Sequence, residues 1–588
     1  GDDQEQVVLD VNELAHEGGY VGLGVLEVSP DGNWLAYAVD RAGNERHALR
    51  FRDLRTGEES PETVPEVSYG FAWAADSATC WYTVQDDASR PHRVLRHQRG
   101  ADPAADVEIF REDDERFHLH VAPSRSHAVV VISAGSAITS ESWLLDAHRP
   151  EADPHLVAER EQGVEYSVAH HPTGLLVVSN HDGAEDFALW RAPLAGTRVA
   201  PRTEWEALLP HERGRRIAGV EAFADHVVVH GRSDGATALW LLDPESGAIR
   251  PFASDEEVAT IGPGANPSFE TSTYRLSYQS LTTPPSVIDE DLATGDRTVL
   301  KQLPVLDGFD RSRYASAREW ATAPDGAQVP ISLVWRPDRQ PADGPAPLVL
   351  YGYGAYETSM DPLFSIHRLS LLDRGVVYVV AHVRGGGERG RRWYLDGKKL
   401  NKVNTFNDFV DATCWLLEQG WGGPRRVAAM GGSAGGLLMG AIANIAPALY
   451  TAVLAQVPFV DPLTSILDPD LPLSALEWEE WGNPIEDKDV YEYMKSYSPY
   501  ENLRALPYPK IAARTSLNDT RVLYVEPAKW VQGLRENTTS GEPILMTIEM
   551  EGGHGGASGR YEGWKDRAWD DAFVLDAINA RELRPPLS

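Results

Sequence analysis

Along the first half of the chain, short apolar runs alternate with turns of Gly, Pro, Asp and Ser, and almost no helical period is visible. A turn followed by a β-rich run recurs six times. Ser29-Pro30-Asp31-Gly32 precedes Leu35-Ala36-Tyr37-Ala38, and Ala75-Asp76-Ser77 precedes Cys80-Trp81-Tyr82. Pro123-Ser124 precedes Val129-Val130-Val131, and His171-Pro172-Thr173-Gly174 precedes Leu175-Leu176-Val177-Val178. Ala224-Asp225 precedes Val227-Val228-Val229, and Glu270-Thr271-Ser272 precedes Tyr274 and Leu276. The spacing is roughly 45 to 52 residues, the size of a propeller blade. A second strand pattern follows most copies, as in Leu239-Trp240-Leu241-Leu242-Asp243. The period predicts a β-propeller with at least six blades. A sandwich of short strands does not explain the even spacing.

The second half reads differently. Apolar runs alternate with amphipathic stretches, which signals a parallel α/β sheet. Leu348-Val349-Leu350-Tyr351 and Val376-Val377-Tyr378-Val379-Val380 are expected strands. Helices are expected from Phe406 to Gln419, from Ala528 to Arg535 and from Trp569 to Ile578. Two domains follow, residues 1–305 and 306–588, joined through Leu303 to Arg313.

Composition narrows the class. With 588 residues, 42% hydrophobic and 24% charged, the chain is an ordinary globular protein too long for one core. No apolar run is long enough to cross a bilayer. The two cysteines, Cys80 and Cys414, fall in different predicted domains, which excludes a disulfide framework and points to a reducing, cytoplasmic setting. Neither has a Cys or His at metal-ligand spacing, so no metal and no cofactor are expected. The net charge of -34 repels nucleic acid and anionic membranes and attracts cationic ligands, although most of these charges read as solvated surface.

Candidate chemistry centres on Gly431-Gly432-Ser433-Ala434-Gly435-Gly436. The strand-like run Arg426 to Met430 precedes it and a helical run from Leu437 follows, the setting in which G-x-S-x-G is a nucleophile elbow of an α/β-hydrolase. A serine hydroxyl needs a base, and the base needs an orienting acid. Three histidines follow residue 306: His367, His382 and His554. The first two precede the serine in strand-like segments. His554 lies among glycines in a loop, where it has little packing to do, and is the expected base. Asp519, after the apolar stretch Ile511-Ala512-Ala513, fits the chain order Ser, Asp, His. Asp566, Asp570 and Asp571 follow the histidine in a helix and fit poorly. For an oxyanion, the Ala434 amide is one donor by position, and a tyrosine of Tyr351-Gly352-Tyr353-Gly354 can supply the second. Gly385 to Gly390 matches G-x-G-x-x-G, but about fifteen residues rich in Arg, Lys, Gly and Asn separate it from the next predicted helix, so no dinucleotide site is expected.

These residues carry a resemblance to the prolyl oligopeptidase family of serine peptidases, and within it to the oligopeptidase B branch. The matching segments include Tyr351 to Gly354, Arg368 to Gly375, His382 to Glu388, Asn404 to Asp408, Gly431 to Gly440, Ala455 to Asp461, Glu480 to Pro484, Tyr497 to Tyr500, Glu526 to Trp530 and Gly553 to Gly556. The propeller half resembles the family more loosely. The resemblance implies a seven-bladed propeller capping an α/β-hydrolase domain. It implies Ser433, Asp519 and His554 as a triad, with Tyr353 and the Ala434 amide as oxyanion hole. It also implies Arg521 on a substrate carbonyl. Short peptides would enter a cavity between the domains that excludes folded proteins, and a monomer is expected.

Glu477 and Glu479 match paired glutamates that receive an arginine or lysine before the scissile bond, and two carboxylates suit a guanidinium. Asp361 matches the first of two aspartates of a second acidic subsite, but Leu363 replaces the other, so a strong preference for a second basic residue is not implied. The family opens with a segment that packs on the hydrolase domain before its first blade. Six repeats rather than seven suggest that roughly a hundred such residues precede this chain. The expected activity is cleavage of short basic peptides after Arg or Lys. The alternatives are a post-proline oligopeptidase, an inactive propeller scaffold and, least favoured, a lipid esterase.

Overall fold

Period-two alternation in the first half builds six antiparallel units of four strands, in chain order. A computed structural model describes residues 6–15, 19–306, 308–342, 344–471 and 473–583. The first two units share one strand, Val64–Trp73. Its start pairs with His47–Asp53, and its end, Phe71 to Trp73, pairs with Thr79–Gln85. The register breaks between Val67 and Phe71, and Glu66 just before it has φ 60°. Each of the six turns read from the sequence connects the first strand of a blade to its second. Their side chains hold them shut: Asp31 Oδ1 accepts the Asn33 N–H (3.0 Å), and Asp76 Oδ1 accepts those of Ala78 and Thr79 (2.9 and 2.8 Å).

Successive blades pack face to face through alternate residues. Cys80 and Tyr82 join Phe51 and Val67 of the first blade, whereas Trp81 between them joins Leu119 and Ile132 of the third. The same division recurs in the fifth blade. Val227 and Val229 pack toward the fourth, and Val228 packs toward the sixth.

The second half forms one eight-stranded sheet. Its spatial order is Ala315–Thr322, Gln328–Trp335, Val377–Ala381, Leu348–Tyr351, Val427–Gly432, Ala452–Gln456, Lys510–Ser516 and Ile544–Glu549. The first two strands pair antiparallel with their neighbours and the rest pair parallel. Helices cover both faces, so both are apolar. Leu348 and Leu350 enter one core with Phe409 and Leu437, and Val349 enters the other with Leu372 and Val574. The expected helices are Val403–Glu418, Val525–Asn537 and Arg560–Ala577, the last beginning well before the predicted start.

Charged side chains line the face between the halves. Arg391 pairs with Glu165 and Glu357, and Arg216 with Glu357. One expectation is corrected here. A short helix, Arg391–Leu395, does open directly after Gly390. Its first N–H, at Arg391, donates to Asp186 of the propeller (2.9 Å), whose Oδ1 lies 2.4 Å from where a Gly390 Cβ would stand. The protein's own carboxylate therefore occupies the place an anion would take at that terminus.

Candidate active site

Ser433 sits between the strand Val427–Gly432 and the helix Ala434–Ile445, with φ 55° and ψ -119°. A non-glycine residue in that region is strained, as an elbow serine is. Two glycines make the turn possible. A Cβ on Gly431 would lie 2.4 Å from the Gly435 carbonyl oxygen, and one on Gly435 would lie 2.7 Å from that of Gly352. The Ala434 N–H is the first of the helix, which leaves it without an intrahelical acceptor.

Asp519 follows the strand Lys510–Ser516 and is 2% exposed. Its Oδ1 accepts the N–H groups of Arg521 and Val522 (2.9 Å each), and its Oδ2 lies 2.8 Å from His554 Nδ1. The carboxylate is thus aimed by backbone donors at one ring nitrogen. His554 follows the strand Ile544–Glu549 in a loop that an Asn518 to Glu551 hydrogen bond ties to the aspartate's loop (3.3 Å). Among the described residues His554 bonds to Asp519 and not to Ser433.

Ser433, Ala434, Tyr353, His554, Glu477 and Arg521 line one cavity of about 460 Å³. Burial pushes the Tyr353 hydroxyl up to about 12, and a hydrogen bond with Ser433 opposes the shift. Glu477 Oε2 accepts the Tyr356 hydroxyl (2.7 Å) and the Trp481 indole N–H (2.6 Å). Its Oε1 has no protein donor among the described residues. Withdrawal from water pushes the Glu477 carboxyl up to about 7; the Glu480 charge adds to the shift, and the hydrogen bonds from Tyr356 and Trp481 oppose it.

Two expected residues lie outside the cavity, and a third lines it while engaged by the propeller. Glu479 leaves the cavity, receiving the Ser136 hydroxyl and the Gln162 amide (3.2 Å) of the propeller. The cause is the helix Ser474–Trp481, because residues two apart on a helix do not face one another. The two glutamates therefore do not form a pair. Asp361 pairs with Arg232 of the fifth blade and does not line the cavity. Arg521 lines the cavity but is held bidentately by Glu45 of the propeller (2.7 and 2.8 Å), which also receives the Tyr69 hydroxyl (3.1 Å). The sequence reading missed Glu45, Tyr356 and Glu526. Glu526 lines the cavity with its carboxyl pushed by burial up to about 8. Glu45 carried no signal, being one acidic turn residue among many.

Known proteins resemble this chain in both of its halves. The family described as "Prolyl oligopeptidase, N-terminal beta-propeller domain" matches residues 1–303, and "Prolyl oligopeptidase family" matches residues 362–581. "Dipeptidyl aminopeptidase BI" of Pseudoxanthomonas mexicana is 42% identical over 98% of this chain and 79% of its own length. "Protease 2" of Moraxella lacunata is 40% identical over 98% of this chain and 82% of its own length. The closed form of oligopeptidase B from Trypanosoma brucei with covalently bound antipain superposes with a TM-score of 0.94 at 37% identity, over 99% of this chain and 82% of that one.

Fold and likeness together define a serine-type peptidase with an α/β-hydrolase domain and a propeller domain. The chain belongs to the prolyl oligopeptidase family.

Proposed function

We propose that this peptidase hydrolyses short peptides on the carboxyl side of Arg or Lys through an acyl-enzyme. One observation carries the specificity: a carboxylate, Glu477, with an unengaged oxygen in the same cavity as Ser433 and His554. His554 Nε2 takes the Ser433 proton as Oγ attacks the scissile carbonyl, and Asp519 holds the Nδ1–H and stabilises the imidazolium. The Ala434 N–H and the Tyr353 hydroxyl receive the oxyanion. His554 then protonates the leaving amine, and water, activated by the same imidazole, releases the acid. The cation of the residue before the scissile bond rests on Glu477 alone, because Glu479 points away. Arg521 keeps a guanidinium at the cavity wall for a substrate carbonyl, once exchanged from or shared with Glu45. Asp361, committed to Arg232, contributes to closure rather than to a second basic subsite. A reducing cytoplasm belongs to the same reading, supported by two unpaired cysteines, and a monomer is proposed with it.

The test is hydrolysis of matched fluorogenic peptides with Arg or Pro before the leaving group, with Ser433→Ala as control. Faster Arg cleavage that vanishes in the control is expected. Faster Pro cleavage would overturn the role of Glu477 while keeping the triad. The relative named as a dipeptidyl aminopeptidase favours a second reading, in which a free amino terminus is required. Equal cleavage of capped and uncapped dipeptidyl substrates would exclude it.

A further inference from the structure

Tyr353 stands in a loop rather than on a strand. The strand Leu348–Tyr351 ends two residues earlier, where the Gly352 N–H donates to the Met430 carbonyl (3.2 Å). Beyond that point two buried charges grip the backbone. The Lys402 ammonium, 1% exposed, donates to the carbonyl oxygens of Gly354 and of Gly397 (3.1 Å for the latter). The Glu480 carboxylate, also 1% exposed, accepts the Tyr356 N–H through Oε1 (3.1 Å) and the Tyr394 hydroxyl through Oε2 (2.5 Å). Lys398 donates to that same hydroxyl and lies 3.7 Å from Glu480. The turn between the two grips has little room to change. Gly354 has φ 80°, and a Cβ there would lie 2.3 Å from Thr405 Cγ2.

Buried charges of this kind are poor stabilisers, since apolar residues of similar volume often do as well. Burial pulls the Lys402 ammonium down to about 8, against the field of Glu480. What such charges supply well is position, because charge-assisted hydrogen bonds are short and directional. An oxyanion donor needs just that, since its value lies in being aimed before the reaction begins. The same network reaches the specificity carboxylate. Tyr356 donates its hydroxyl to Glu477 and its N–H to Glu480, and Glu477 and Glu480 lie on one helix.

We propose that Lys402 and Glu480 are positioning residues that clamp the Gly354 carbonyl and the Tyr356 amide, setting the Tyr353 hydroxyl at the oxyanion position. The clamp rests on the reading of Tyr353 as an oxyanion donor. The same segment continues to Tyr356, whose hydroxyl donates to Glu477.

A double-mutant cycle on the full chain tests it, with kcat and KM measured on the Arg peptide for Tyr353→Phe, Lys402→Met and the combined variant. Tyr353→Phe is expected to lower kcat on the order of 100-fold, as loss of an oxyanion donor does, with KM little changed. Lys402→Met is expected to lower kcat about tenfold with KM little changed, and to add no further loss in the Tyr353→Phe background. An equal loss in both backgrounds would show that Lys402 acts on general structure and would overturn the clamp. No loss from Lys402→Met would overturn it as well. An unchanged kcat in Tyr353→Phe alone would remove the oxyanion reading and the clamp with it, a failure told apart by that single variant. If Lys402→Met does not fold, the near-isosteric Glu480→Gln enters the same cycle, with a several-fold loss of kcat expected and the same criterion of non-additivity.

Discussion

Glu477 and Glu479 stand two positions apart and meet different domains, the first the cavity and the second Ser136 and Gln162. Their substitutions should therefore separate. Glu477→Gln is expected to lower kcat/KM for the Arg peptide by about 100-fold, the range for removing one partner of a desolvated charge pair. Glu479→Gln should leave the ratio of Arg to Pro cleavage unchanged. The ionisation of Glu477 gives a second outcome. Its carboxyl is raised to about 7, so the neutral form dominates in the free enzyme below that pH and the anion above it. Since kcat/KM reports the free enzyme, preference for Arg over an uncharged residue should grow as pH rises through 7. It should fall about tenfold per unit below 7, as for any single carboxyl. Taking the ratio of two substrates at each pH cancels every ionisation that affects both alike. A flat ratio between pH 5 and 8 would contradict Glu477 as the cation's partner.

At the scale of elements, the elbow shows why certain glycines cannot be replaced. A methyl on Gly435 would press on the Gly352 carbonyl and the Tyr353 Cα (2.7 and 3.4 Å), on the turn that carries the tyrosine hydroxyl. Gly435→Ala should cost about 1–3 kcal/mol in urea unfolding through overpacking, and it should abolish most hydrolysis. Gly555→Ala is the contrast, because a Cβ there meets nothing within 4 Å. Elements with a strong period were legible from sequence, the blade strands and the strand Leu348–Tyr351 among them. Those without one were not. The helix Ser474–Trp481 mixes Trp and Glu on all sides, and its burial is decided by two domains at once. The turn of helix after Gly390 was hidden because Asp186, distant in sequence, caps it.

Across the whole molecule, the propeller directly reaches the loops that carry Arg521 and His554. Asp40 accepts the N–H groups of Ala42, Gly43 and Glu45 (2.7, 3.0 and 2.9 Å), which shapes a turn of the first blade. That turn places Gly43 against Gly553 beside His554, and Glu45 on Arg521. The Glu45–Arg521 pair is partly exposed, so it is worth about 1 kcal/mol. Glu45→Gln should accordingly cost up to about 1 kcal/mol in urea unfolding and, with Arg521 no longer held at the cavity wall, lower kcat/KM about fivefold. The loss should shrink at high salt, where the intact pair is itself screened. A change in stability without a change in hydrolysis would assign this pair to folding alone.

Local sequence determined the propeller repeat, the parallel sheet, the elbow serine and the order of aspartate and histidine. Each of these follows from a period or from turn chemistry that acts within a few residues. The tertiary structure alone decided that Glu477 faces the cavity while Glu479 leaves it, that Asp361 belongs to Arg232, and that Lys402 holds Gly354. Those facts depend on helix phase and on partners far along the chain. A charge declares its partner only once folding has removed the water that otherwise solvates it.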